Sequence, residues 1–211
     1  MNKLNILYED NHIIVVVKPS GILSQKDITG DMDMLTLIKI YLKEKYNKPG
    51  NVYLGLVHRL DRMVSGVMVF AKTSKAASRL SNQIKNNNFH KKYYAVVHGI
   101  LENKDGRLIN KLLKIDNKKV LIDTKNGKEA ILDYKVIKEK NNLSLIDISL
   151  ITGRYHQIRI QFSHIGHPLL GDSLYTNKNE GNIKLMCYSL TFTHPTLKKQ
   201  MTFEIKNAFK L

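Results

Sequence analysis

The apolar residues of this chain come in short β-branched runs, and that limits its fold more than any other feature. Ile13-Ile14-Val15-Val16-Val17 stops at Lys18-Pro19-Ser20-Gly21, and Gly66-Val67-Met68-Val69-Phe70-Ala71 is a second such run. Runs this short suit buried strands and fall far below the roughly 18 residues of a membrane span. Pro restricts the residue before it and Gly admits positive φ, so residues 18–21 read as a turn. Asn5-Ile6-Leu7-Tyr8 forms a strand joined to 13–17 through Glu9-Asp10-Asn11. Tyr93–Val97 is strand-like. Ala130–Ile137 and Leu143–Ile151 alternate as an antiparallel pair around Lys140-Asn141-Asn142, and two more strands lie near Cys187–Thr193 and Met201–Ile205.

Helical spacing is rarer. Met34 through Tyr46 carries Leu35, Ile38 and Leu42, with Asp31 or Asp33 as its cap, and Ser74 caps a helix bearing Ala77, Leu80 and Ile84. Residues 154–165 fit both periods: Tyr155, Ile158, Phe162 and Ile165 follow a helix, whereas Ile158, Ile160 and Phe162 alternate. Gly166 after them favours a helix with a C′ glycine. Strands outnumber helices and do not alternate with them. The expected class is α+β: a single domain over 1–211 with a mixed, mostly antiparallel sheet flanked by helices and loops.

With 43% hydrophobic residues in 211, the chain can bury a core, so wholesale disorder is excluded. The lone cysteine, Cys187, excludes an intramolecular disulfide and fits a reducing compartment. Met1-Asn2-Lys3-Leu4 opens no apolar secretory segment, so the cytoplasm is the expected location. Lys plus Arg number 34 against 18 Asp plus Glu, a net charge of +16. Such an excess favours polyanions, because each neutralised phosphate releases counterions. Abundant Lys, Asn and Ile also accompany AT-rich coding, so charge names a partner class and no chemistry.

The densest chemical signal is His58-Arg59-Leu60-Asp61-Arg62, followed by Met63-Val64-Ser65-Gly66. An acid between two arginines has its charged form favoured, as a nucleophile or base requires, though mixed charges on a loop also serve as a surface ion-pair cluster. On residue type alone Tyr93 is core packing and Arg159 a surface cation. His156, His164, His167 and Asp172 lack the spacing of a zinc site, so no metal is expected.

The run at residues 58–73, HRLDRMVSGVMVFAKT, resembles the signature of the RluA family of RNA pseudouridine synthases. Four further blocks follow the family's order: Tyr8 to Gly21; Lys91-Lys92-Tyr93-Tyr94-Ala95, similar to its Lys-x-Tyr-x-Ala segment; Thr152-Gly153-Arg154-Tyr155-His156-Gln157-Ile158-Arg159; and Ile165-Gly166-His167-Pro168-Leu169-Leu170-Gly171-Asp172, with His194-Pro195 near the end. The resemblance implies conversion of uridine to pseudouridine in ribosomal or transfer RNA, without cofactor or metal, and without a membrane or an obligate protein partner. It implies that Asp61 is the nucleophile, that Tyr93 stacks on the target base and that Arg159 pairs with the catalytic carboxylate. Arg59, Arg62, Arg154, His58 and Lys92 are the residues expected to meet RNA, His58 by shaping the loop.

The chemistry suits these residue types. Uracil departs as an anion spread over two carbonyls, so one carboxylate near ribose C1′ suffices where glycosidases need two. Asp61 would attack C1′ or remove a sugar proton, and the sequence leaves both routes open. A flipped uridine costs a few kcal/mol, roughly, in lost stacking, which phosphate contacts offset. Val17 stands where the family has Asn, Met63-Val64 replace an acid and Thr, and Leu185-Met186-Cys187-Tyr188 replaces a Leu-His-Ala run. These departures are the support for a competing class, a catalytically silent RNA-binding or ribosome-assembly protein. A uracil glycosylase is a third class, disfavoured because no second acid is identifiable. The chain is expected to be the catalytic domain alone, with no additional N-terminal RNA-binding domain.

Overall fold

The computed structural model describes residues 4–116, 119–176, 181–206, 209 and 211. The class is α+β, and the chain divides into two compact units, residues 1–89 with 189–205 and residues 90–188 with 206–211.

In the first unit, β1 (Asn5–Glu9) and β2 (Ile13–Lys18) form an antiparallel hairpin. Asp10 closes its turn, Oδ1 accepting from the backbone N–H of His12 and of Ile13, each at 2.8 Å. β4 (Ser65–Ala71) pairs antiparallel with β2, setting Ile13 opposite Ala71 and Lys18 opposite Gly66. Ile13 to Val16 and Val67 to Ala71 have no exposed surface, which is why these strands read as unbroken apolar runs. The two-residue β3 (Gly55–Leu56) also pairs with β4, and β11 (Gln200–Glu204) pairs antiparallel with residues 189–193 of β10 (Leu185–Thr193).

Helix α1 (Met34–Lys45) buries Met34, Ile38 and Leu42 and is capped by Asp33, whose carboxylate accepts from Thr36 N at 3.0 Å. Of the two candidate caps, then, Asp33 serves. In α2 (Ser74–Lys85) the cap is Thr73 and not Ser74. Thr73 keeps an extended backbone and accepts from Ala76 N at 3.1 Å, so the buried stripe runs through Ala76 and Leu80 and leaves Ala77 and Ile84 only half-buried.

The second unit is an antiparallel sheet with spatial order β5 (His90–His98), β9 (Leu143–Leu150), β8 (Lys128–Lys140), β6 (Asp105–Lys114), β7 (Val120–Ile122). Asn141 and Asn142 have φ of 52° and 56°, the left-handed pair that a two-residue hairpin turn requires. β6 leaves no clear strand signature in the sequence because Arg107, Ile109 and Lys111 share one exposed face and blur the alternation, and β7 is only three residues long. Helix α3 (Gln157–His164) is shorter than the 154–165 pattern. His156 sits at φ 51°, outside helical space, so the helix cannot begin before it. Gly166, at φ 82°, follows the far end as expected. Tyr155 and Ile160 pack on Leu112, Val120 and Ala130. Among the described residues no helix is long and apolar enough to cross a membrane.

Candidate active site

Asp61 lies in the loop between β3 and β4, and the turn after β2 fastens that loop along its length. Ser24 Oγ donates to Leu60 O at 2.7 Å and accepts from Leu60 N at 3.1 Å. Ser20 Oγ donates to Met63 O at 2.7 Å. Gly21 N donates to Arg62 O at 2.9 Å and Arg62 Nε returns a bond to Gly21 O at 3.1 Å. Gly21 has φ 87°, so this turn needs a glycine. The loop also closes on itself, Val64 N donating to Asp61 O at 3.0 Å.

At the base of this arrangement sits Lys18, with no exposed surface. Its Nζ donates to Pro19 O at 3.0 Å, Ile22 O at 2.6 Å and Arg62 O at 2.9 Å. Burial pushes its pKa down to about 8, Asp61 opposing and Arg62 assisting that fall. A cation is thus built in within the field of Asp61. Asp61 itself is half-buried, so the residue keeps part of its surface exposed. The substitution at Val64 is accommodated by burial, since only 2% of it is exposed, and backbone groups hold the loop.

The neighbours of Asp61 divide. Arg59 is exposed and has no hydrogen-bond or ion-pair partner among the described residues. Arg62 is exposed too, but its Nη1 pairs with Asp31 at 2.7 Å. His58, expected among the RNA-contacting residues, is instead buried, and its Nε2 accepts from Val69 N at 3.1 Å. It anchors the loop to β4.

In the second unit Tyr93 is buried in β5 opposite Ile148. Strand alternation puts it on the face of Lys91, Ala95 and Val97, and puts exposed Lys92 on the other. Arg159, in the first turn of α3, grips Asp172 bidentately, Nε to Oδ2 at 2.7 Å and Nη2 to Oδ1 at 2.6 Å. Asp172 is buried, so the pair is desolvated and geometrically fixed. Arg159 Nη1 lies 2.9 Å from His156 Nε2. Arginine only donates, so that ring nitrogen accepts, and the imidazole proton sits on Nδ1, 3.0 Å from Tyr175 Oη. The Arg159 guanidinium also stands 5.2 Å from the Tyr175 ring centroid. His156 keeps its left-handed backbone under these constraints and a stack on Tyr155 at 3.9 Å.

Gln157 locks the loop ahead of α3, its Oε1 accepting from Thr152 Oγ1 at 2.8 Å and from Arg154 N at 3.0 Å. Arg154 precedes the helix rather than opening it, and its Nε donates to Glu129 O at 2.9 Å. His167 Nδ1 donates to His98 O at 2.8 Å. Among the described residues no three His, Cys, Asp or Glu side chains group as metal ligands.

Lys18, His156, Asp172 and Tyr175 were not singled out as site residues from sequence. A signal existed for Lys18 and Asp172: one polar residue ends an apolar run and the other follows a glycine, both inside family blocks. The chemical capacity of these parts is a carboxylate on an immobilised loop in one unit, and in the other an aromatic ring with a guanidinium that cannot swing away. Fixed groups of this kind lower barriers because they need no reorganisation when charge develops.

A model of the RNA pseudouridylate synthase family matches residues 12–164. The dual-specificity RNA pseudouridine synthase RluA of Haemophilus influenzae is 33% identical over 213 residues, covering 98% of this chain and 94% of the relative. An RNA pseudouridine synthase of Mycoplasma genitalium is 36% identical over 208 residues, 95% of this chain and 66% of the relative. Ribosomal large subunit pseudouridine synthase C of Buchnera aphidicola subsp. Schizaphis graminum is 37% identical over 211 residues, 93% of this chain and 65% of the relative. The chain therefore spans about two thirds of the length of the last two. The structure of human RNA Pseudouridylate Synthase Domain Containing 4 superposes with a TM-score of 0.80 at 22% identity, over 96% of this chain and 88% of that one, and has the same fold. With a family match across most of its length and a relative shared almost end to end, the chain belongs to the RluA family of RNA pseudouridine synthases.

Proposed function

We propose that this chain isomerises uridine to pseudouridine in structured ribosomal or transfer RNA, with Asp61 as nucleophile. The observation that carries the reading is the loop of Asp61, fastened by Ser20, Gly21, Ser24 and the buried Lys18 while Asp61 itself stays partly exposed. Asp61 attacks ribose C1′ as the bond to uracil N1 breaks; the base turns, C5 takes over C1′ and the carboxylate is released. The proton lost from C5 is balanced by one gained at N1. Tyr93 stacks on the base and Arg159, its torsions set by Asp172, stabilises the carboxylate charge. Arg59 and Lys92, exposed cations, contact phosphate, in keeping with the net charge of +16. The names of the relatives support ribosomal RNA as substrate, and the cytoplasm is the compartment where that substrate is met.

The test is incubation with ribosomal and transfer RNA from a strain lacking this protein, followed by chemical labelling and mapping of pseudouridine. New pseudouridine at defined uridines is expected. Tight RNA binding without product would support the silent RNA-binding reading instead, and release of free uracil would reveal a glycosylase.

A further inference from the structure

Lysines leave water only for an acceptor, and Lys18 with its three carbonyls is an example. Lys91 departs from that rule. It stands in β5 opposite Leu150, two residues from Tyr93 and on the same face. It is half-buried, and burial pushes its ammonium below the usual lysine range, the thiol of Cys187 working the other way. Its Nζ comes up against the Thr152–Arg154 loop, where a Cβ built on Gly153 would lie 3.0 Å away. The ammonium therefore rests beside the backbone of residue 153. Among the described residues no carbonyl or carboxylate accepts a hydrogen bond from Lys91 Nζ.

We propose that Lys91 is a further catalytic residue, donating from its ammonium to a carbonyl oxygen of the target uracil as the glycosidic bond breaks. This rests on the reading that Tyr93 carries the base. Side chains two apart on a strand leave the same face about 7 Å from each other, so ring and ammonium address one ligand. When C1′–N1 breaks, the electron pair stays with N1 and spreads onto the two uracil oxygens. Lys91 meets that charge with a hydrogen bond and keeps its proton, so it ends the cycle as it began. A partly desolvated cation is worth more against developing charge than one in water, and no protein acceptor competes for it. Phosphate is the natural partner of exposed Lys92 on the opposite face.

The test compares single-turnover rates of C1′–N1 bond breaking, read as loss of the starting nucleoside after digestion, on two transcripts of a mapped target. One carries uridine and one 5-fluorouridine at the reacting position, where fluorine blocks the final loss of a proton from C5 and leaves bond breaking to be compared. Fluorine stabilises the departing anion, so the second substrate needs less help from Lys91. Lys91→Met is expected to slow reaction of the uridine transcript about 10²-fold. Its RNA affinity is expected to stay within about threefold of wild type, and its slowing on the 5-fluorouridine transcript to be about tenfold or less. Equal slowing on both transcripts, weaker binding at an unchanged rate, or full activity on both would overturn the proposal. Lys91→Gln, which keeps a donor without charge, gives the same comparison if the Met variant does not fold. A wild-type protein that makes no product overturns the underlying reading; an active wild type beside an equally active Lys91→Met overturns only the role of Lys91.

Discussion

Lys18 and Lys91, one in each unit, are both drawn out of water, and they are treated oppositely. Lys18 gives its three protons to three backbone carbonyls and ties the turn after β2 to the loop of Asp61. Lys91 has no acceptor among the described residues, although burial acts on it as well. A satisfied buried charge fixes geometry, and an unsatisfied one costs stability unless a ligand completes it. The contrast separates groups that build the site from a group kept for the substrate. Asp172, gripped by Arg159, belongs with Lys18 among the builders, and Glu9, which accepts from Tyr41, Lys45, Tyr46 and Lys72, is a satisfied charge of the same kind away from the Asp61 loop.

The comparison breaks most visibly at the desolvated ion pair. Arg159→Ala leaves the Asp172 carboxylate buried without its fork, and unfolding in denaturant is expected to show a loss of about 4 kcal/mol. A loss under about 1 kcal/mol would mean the pair is not structural. Lys18→Met follows: three carbonyls lose their donor, and the expected loss is about 3 kcal/mol, with slower product formation because the Asp61 loop is unmoored.

Glu9 gives the pH arm of the comparison. Burial pushes its carboxyl up, yet the bonds from Lys45, Lys72, Tyr46 and Tyr41 outweigh burial and hold it down at about 2. A depressed carboxylate adds stability that is complete above its unfolded value near 4.5 and lost as pH falls toward 2. Across that window the wild type is expected to lose about 2 kcal/mol relative to Glu9→Gln, a figure lowered for the exposure of Lys45. Parallel pH curves for the two proteins would contradict it. The smallest effect belongs to Lys91→Met, whose stability should stay within about 1 kcal/mol of wild type or rise, since removing an unsatisfied charge removes its desolvation.

Much of the fold was legible because its core strands are unbroken apolar runs and its hairpin turns carry diagnostic residues, Asn141-Asn142 above all. Three features escaped for physical reasons. Thr73 and Ser74 are both good caps, and only the extended backbone of Thr73 decides between them. The start of α3 depends on His156, which is held by Arg159 three residues on and by Tyr175, nineteen residues away. The exposed face of β6 mixes charges with apolar residues, Arg107 pairing with Asp133 of β8 at 2.6 Å, in place of a polar/apolar alternation. At the site, Asp61 stood out by its arginine neighbours, whereas nothing in the sequence marks Lys18 as partnered and Lys91 as not. That difference is a matter of which carbonyls the fold brings to each ammonium.

The most direct measurement is single-turnover pseudouridine formation by Asp61→Asn on an RNA that the wild type modifies. The neutral amide keeps the size of the side chain and cannot attack C1′, so RNA binding should persist while product falls below detection. Product at the wild-type rate would contradict the assignment of Asp61, and with it the account of why the loop around it is so firmly held.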